Sequence, residues 1–276
     1  MKLSIITINF NNKSGLKKTI NSVLNQTVQD FEFIIIDGDS NDGSKDLLKG
    51  IIFKRKEIVS EPDKGIFNAM NKGVKLAHGE YILFLNSGDI LADKNVIYDI
   101  HNSNLLNGNI DIITGDTICE KNDKFSHLWP APDIVTVNTF YSGSICHQST
   151  FIHRQLLIKY PYIESNRFCS DRQHFLRIFG FEKITYQAYH RNIARFDCSG
   201  VSSSESNEQK KNDEVRKNIE STLPRTFLLD YDFFIGERTE LEKLICNHRN
   251  NLLIKGISAI IVLARTISRK LKRHHE

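Results

Sequence analysis

Over the first 115 residues, short unbroken apolar runs are closed by polar turns and followed by segments whose apolar positions recur every three or four residues. Residues 3–8 and 31–36 are runs of strand length rich in β-branched side chains. Between them Leu16, Ile20, Val23 and Leu24 share one face of a helix, with Ser14 placed to cap it. The pattern then predicts a strand at 58–60, a helix over 66–76 that includes Gly73, and a strand at 81–85. A helix over 95–106 and a strand at 110–114 follow. Such alternation implies right-handed crossovers and an α/β fold with a mostly parallel sheet flanked by helices.

Beyond Gly115 the periodicity loosens. Trp129-Pro130-Ala131-Pro132 marks a loop, 153–160 and 171–179 read as short helices, and 183–189 and 193–196 as strands. The polar stretch 199–212 reads as a loop entering a helix. These breaks divide the chain into 1–115, 116–200, a helical extension over 201–248 and a tail over 249–276.

A chain of 276 residues, 40% hydrophobic and 25% charged, has the make-up of an ordinary globular protein with a sizeable core. Its five cysteines are odd in number and form no CxxC pair, which argues for reduced thiols and against a disulfide framework or structural zinc. The opening apolar run is too short for the core of a signal peptide. The net charge of +4 sits in the tail, which holds seven Lys and Arg against the single acid Glu276, so the body is slightly acidic. With no basic body and no reader motif, nucleic acid is not an expected partner.

Three acidic clusters stand out on this background. Asp37-Gly38-Asp39-Ser40-Asn41-Asp42 closes the second strand, Glu61-Pro62-Asp63-Lys64-Gly65 opens a helix, and Asn86-Ser87-Gly88-Asp89 follows the strand at 81–85. In open α/β sheets ligands bind outside the carboxyl ends of the strands, so the three should converge on one pocket. Each has a plainer reading taken alone: turn geometry for the first, a solvated lysine for the second, a helix-capping Asp for the third. Asp171, in Cys169-Ser170-Asp171-Arg172, begins an amphipathic helix, where the dipole favours an ionised carboxylate.

The order and wording of these clusters resemble the inverting family 2 glycosyltransferases of the GT-A fold, in particular the branch that builds bacterial exopolysaccharide and O-antigen units, colanic acid included. The resemblance covers roughly residues 1–200 and is strongest over 3–89. It implies that Asp37, then Asp39, contact the donor base and ribose, with Thr7 and Asn9 adding contacts. It implies that Asp63 and Lys64 reach the nucleotide, and that Ser87 and Gly88 line the place of the DxD-type motif. Asp89 matches the last acid of that motif and would hold Mn²⁺ or Mg²⁺. Asp171 would be the general base. His147 and Gln148, with Arg172, are candidates for acceptor or phosphate contact. Three departures from the family pattern are Asp37-Gly38 for an adjacent acid pair, Asn86 for the first metal acid, and Ser170 for the acid before the base.

The resemblance further implies a nucleoside-diphosphate sugar donor, a UDP-sugar ahead of a GDP-sugar, and a lipid-linked saccharide acceptor. In the tail, Leu253, Ile257, Ile260, Ala264, Ile267 and Leu271 share one helical face opposite Lys255, Arg265, Arg269 and Lys272. Such a helix lies on an anionic membrane surface or docks on the protein; the first places the protein in the cytoplasm, peripheral on the inner face of the membrane. Two rival functions are a sugar-phosphate nucleotidyltransferase and a non-catalytic nucleotide-sugar-binding scaffold. The first needs a Gly-rich N-terminal loop, whereas 3–16 holds only Gly15.

Overall fold

The apolar runs become the strands of one sheet in a computed structural model that describes residues 1–121, 124–198, 207–230 and 232–233. In chain order the first half is β1 (Leu3–Asn9), α1 (Lys13–Leu24), β2 (Glu32–Asp37), α2 (Ser44–Lys49), β3 (Lys56–Ser60), α3 (Ile66–Leu76), β4 (Tyr81–Phe84), β5 (Ile90–Leu91) and α4 (Val96–Asn102). The second half is β6 (Ile112–Lys121), β7 (Lys124–Trp129), α5 (Val137–Ser142), β8 (Thr150–His153), α6 (Arg154–Lys159), α7 (Ser170–Phe181), β9 (Tyr186–Asp197) and α8 (Glu208–Thr222). Sheet order is β3-β2-β1-β4-β8-β6-β9-β5, with β7 added to β6.

The first four strands in that order are parallel, as the alternation predicts. The second half joins in mixed directions: β8 runs antiparallel to both β4 and β6, whereas β9 is parallel to β6. Every residue of β1 and β2 is buried, which is why their sequences lack alternation. Leu3 and Ile5 pack with Leu16, Ile20 and Val23 of α1 and Ile97 and Ile100 of α4. On α3, Gly73 lets the helix approach the sheet: a Cβ there would lie 2.6 Å from Ile6 Cγ2.

Local corrections follow from hydrogen bonding. Asn12, not Ser14, caps α1, its Oδ1 accepting the Gly15 amide at 3.0 Å. The helix expected over 95–106 stops at Asn102, and Asn104, with φ of 59°, starts a separate 3-10 turn. The two expected strands at 183–189 and 193–196 are one strand, β9, whose register slips against β6 around Gly115 and Asp116. Residues Met1–Thr222 form one compact unit, α8 included. No helix among the described residues is long and apolar enough to cross a membrane. The amphipathic tail lies outside the described residues.

Candidate active site

Parallel register brings Asn9, Asp37 and Ser60 side by side at the carboxyl ends of β1, β2 and β3. Asp37 accepts from Asn9 Nδ2 (2.7 Å), Ser60 Oγ (2.6 Å), and both Oγ (2.6 Å) and N (3.1 Å) of Ser40. Burial pushes its carboxyl up, but these four donors outweigh it and hold the group below the usual carboxylate range. Asn9 Oδ1 in turn accepts from Ser87 Oγ at 2.7 Å. One polar line therefore runs Ser60–Asp37–Asn9–Ser87 across four strand ends, joining the first and third acidic clusters.

This line ties several of the expected contact residues to one another. Asp37 is fully buried with its lone pairs taken by protein donors, Asn9 is spent bridging Asp37 and Ser87, and Ser87 Oγ bonds to Asn9 and the Ile8 carbonyl. Thr7 lies inside the sheet, fully buried, its Oγ1 without a partner among the described residues. These residues lie at the floor of the candidate site, most of their polar atoms engaged with one another.

The rim belongs to other side chains. Phe10, which sequence reasoning missed, is 65% exposed immediately after β1. Its ring edge and the Asp63 carboxylate both crowd Gly38: a Cβ there would stand 3.1 Å from Phe10 Cδ2 and 2.5 Å from Asp63 Oδ2. The departure from an adjacent acid pair thus has a physical reason, because Asp63 reaches over the place where a second side chain would stand. Asp63 Oδ1 accepts the Gly65 amide at 2.8 Å. Asp39, with φ of 65°, is exposed and paired with Lys45. Lys64 stands exposed at the start of α3.

The 86–89 turn is clamped from α1. Thr19 Oγ1 donates to the Asp89 carbonyl (2.7 Å) and accepts the Gly88 amide (3.0 Å), and Asn12 Nδ2 donates to the Ser87 carbonyl (2.9 Å). Asp89 itself is 5% exposed, and burial pushes its carboxyl up to about 6. Its Oδ1 accepts the Asp197 amide at 3.3 Å. Gln148 is buried, its Oε1 accepting from the Cys146 thiol at 2.9 Å.

Next to Gln148 in the same 3-10 turn (His147–Ser149), His147 Nδ1 lies 3.1 Å from Asp171 Oδ2 in the first turn of α7. Asp171 keeps about a fifth of its side chain exposed. Burial raises its carboxyl, but the His147 hydrogen bond and charge and the helix-start amide of Arg172 prevail, so it stays below the usual range. Arg172 Nε and Nη2 donate to the Phe140 and Tyr141 carbonyls near the end of α5. Asn68 and Asn71 of α3 hold Glu164, and Asn71 also exchanges two hydrogen bonds with the Tyr162 backbone. Glu214 of α8, unseen in the sequence, accepts the amides of Arg167, Phe168 and Cys169.

A divalent ion fits one part of this arrangement. Among the described residues no three His, Cys, Asp or Glu side chains group to cage an ion unaided. Asp89 does offer a buried carboxylate, and two further buried polar atoms, Asn86 Oδ1 and His147 Nε2, have no hydrogen-bond partner among the described residues. A hard cation held by one or two protein groups, completing its shell with phosphate oxygens and water, matches that donor set.

The architecture is that of the GT-A glycosyltransferases. Staphylococcus aureus TarS 1-349, solved in complex with UDP-GlcNAc, superposes with a TM-score of 0.61 at 15% identity, covering 82% of this chain and 69% of that one. A mannosyltransferase from Pyrobaculum calidifontis, solved with GDP-Man and Mn²⁺, superposes with a TM-score of 0.52 at 11% identity, over 71% and 56% of the two chains. Residues 4–131 match the family described as Glycosyl transferase family 2, and this segment is a family 2 glycosyltransferase domain. In sequence, the chain is 40% identical over 121 residues to the poly(ribitol-phosphate) beta-N-acetylglucosaminyltransferase TarP of Staphylococcus aureus, 41% of this chain and 36% of that protein. It is 28% identical over 204 residues to a PGL/p-HBAD biosynthesis glycosyltransferase of Mycobacterium bovis, 71% and 77% of the two.

Proposed function

We propose that the protein is an inverting glycosyltransferase that moves a sugar from a nucleoside-diphosphate donor to a saccharide acceptor. The observation that carries this reading is the pair of carboxylates placed by separate elements, Asp89 buried at the end of the 86–89 turn and Asp171 at the start of α7 against His147. One carboxylate belongs with the leaving diphosphate and the other with the incoming hydroxyl. Phe10 is a stacking face for the base, Asp63 and Asp39 its polar neighbours, and Lys64 with the amides at the start of α3 suits the diphosphate. Asp89 would hold Mn²⁺ or Mg²⁺, which neutralises the leaving group when bound.

Asp171 is ionised at neutral pH and partly open, as a general base must be. It takes the acceptor hydroxyl proton while that oxygen bonds to the anomeric carbon, and the bond to the diphosphate breaks with its electron pair leaving on phosphate. A single displacement of this kind inverts the anomeric centre. The TarS complexes with UDP and UDP-GlcNAc support a UDP-sugar; the branch resemblance and the basic tail support a lipid-linked acceptor and an anionic inner membrane face. In this reading 1–115 holds the donor and 116–200 supplies acceptor contacts and the base.

A thermal-shift panel of UDP, GDP and their sugars, with and without Mn²⁺, tests the donor half, since a ligand bound only by the native state raises its melting point. Release of nucleotide from the stabilising sugar donor separates an enzyme from a non-catalytic binder. No stabilisation by any nucleoside diphosphate would sink the reading.

A further inference from the structure

Trp129, the single tryptophan of the chain, stands half-buried at the end of β7, a strand whose other five residues are exposed. Its neighbour across the ladder is Thr117 of β6. Paired residues of antiparallel strands point to the same side, so the indole shares a face with the buried Thr117. That face is bonded to the turn beside Asp171. Thr117 Oγ1 donates to Ser149 Oγ at 2.7 Å, and Ser149 Oγ donates to the Asp116 carbonyl at 3.1 Å. His147, two residues before Ser149, lies against Asp171 at 3.1 Å. A run of printed neighbours thus leads from Trp129 through Thr117 and Ser149 to the general base.

The ladder also decides which aromatic takes this place. Register slips between Cys119 and Glu120: Cys119 faces His127, Glu120 faces Phe125, and Ser126 is the extra residue. With even pairing Phe125 would oppose Lys121 and share the side of Trp129. The bulge puts it on the other side, with Leu128. Trp129 and His127, two positions apart and so roughly 7 Å along the strand, are left on the inner side. A pyranose ring has a flat face of C–H groups edged by hydroxyls. An indole offers the matching apolar plane, and a neutral imidazole can donate to a hydroxyl or accept from one. We infer that Trp129 and His127 form an acceptor subsite that stacks and hydrogen-bonds a sugar beyond the one attacked, since Thr117 and the 147–149 turn stand between Trp129 and Asp171. The inference rests on the reading of the protein as a transferase with a saccharide acceptor, and adds that the acceptor is gripped over more than one sugar.

The test uses the full-length protein with Mn²⁺ and the sugar nucleotide that raises its melting point most. Malto-, cello-, chito- and manno-oligosaccharides of one to four sugars serve as acceptors. In the series that receives sugar, KM should fall from one sugar to three, and the fluorescence of the single tryptophan should shift with the longer acceptors. Trp129→Ala should flatten that length dependence, raising KM for the trisaccharide by about three- to tenfold, the range of one aromatic contact, with UDP affinity retained. Trp129→Phe should recover most of the loss. A KM equal at every length, or a length dependence that survives Trp129→Ala, overturns the inference while the transferase reading stands. Transfer to none of these saccharides overturns the reading of a saccharide acceptor, and the inference with it. If Trp129→Ala fails to fold, the wild type decides: tryptophan fluorescence indifferent to an acceptor that is turned over sinks the subsite.

Discussion

Glu214 Oε1 accepts the Cys169 amide at 2.7 Å, so a residue of α8 fixes the loop that delivers Asp171 to the site. The same carboxylate takes the amides of Arg167 and Phe168. Glu214→Ala strips the acceptor from all three. An unsatisfied buried donor costs about 1–3 kcal/mol, and Cys169 is buried, so the melting point should fall by several degrees. Transfer should fall with it while UDP affinity holds, because the donor rim lies on other elements. An unchanged melting curve would show that water replaces Glu214 at no cost.

Asp171→Asn keeps the shape of the side chain and an acceptor for His147 Nδ1, but removes the proton-accepting charge. Sugar transfer should drop by about 10²–10⁴-fold. Binding of UDP with Mn²⁺, measured by calorimetry, should be retained. Near-normal transfer would remove Asp171 from the role of base.

Asp89 gives a pH signature in the metal-free protein. Its folded value, about 6, lies above the ordinary 3.8, so the native state holds this proton more tightly than the unfolded chain. Its contribution is therefore complete below the ordinary value and is lost as pH rises through about 6. The change is on the order of 3 kcal/mol at ~1.4 kcal/mol per pH unit. Denaturant melts across this range should show Asp89→Asn flattening the slope and exceeding the wild type in stability at pH 7 without metal. Saturating Mn²⁺ and UDP should reverse that order.

Gly38→Asp restores the family's adjacent acid pair and should damage the site here. The new Cβ meets Asp63 Oδ2 at 2.5 Å, and a third carboxylate joins Asp37 and Asp63. UDP affinity should fall by at least about tenfold, in keeping with the 1–3 kcal/mol typical of overpacking. Combining Gly38→Ala with Asp63→Ala should recover the melting point lost by Gly38→Ala alone. Failure to recover it would place the conflict elsewhere.

For the tail, removal of residues from Arg249 onward should abolish co-sedimentation with anionic vesicles, and high salt should weaken binding of the intact chain. Vesicle binding that survives the truncation would move the membrane contact into the folded body.

What the sequence reveals clearly is where the site lies. Apolar runs that end abruptly in Asp, Asn and Ser mark the carboxyl edge of a parallel sheet, and Asp37, Asp63 and Asp89 do cluster there. It does not reveal which of those groups is left over for a ligand. Asp37 is consumed by Asn9 and Ser60, 28 and 23 positions away, and Ser87 by Asn9 at a separation of 78. Such partners are set by strand register, which a linear pattern of hydrophobicity does not encode. Phe10 escaped notice because an exposed aromatic after a strand looks like surface until Gly38 and Asp63 are seen beneath it. Glu214 escaped because its helix has little apolar face to announce that it packs on α7. The strands β7 and β8 are too short or too exposed to carry a periodic signal.

The two-way bond between Asn71 and Tyr162 has a bearing on how the molecule can be watched. Asn71 Oδ1 accepts the Tyr162 amide and Nδ2 donates to its carbonyl, so a side chain of α3 imitates a neighbouring strand. That amide proton is therefore guarded by a helix and not by a ladder, and it exchanges with solvent only when α3 lifts away. In a deuterium-exchange experiment Tyr162 becomes a clock for the helix that begins at Ile66, read out from the far side of the sequence. A nucleotide that settles on the start of α3 should slow that clock without touching the residue that keeps it.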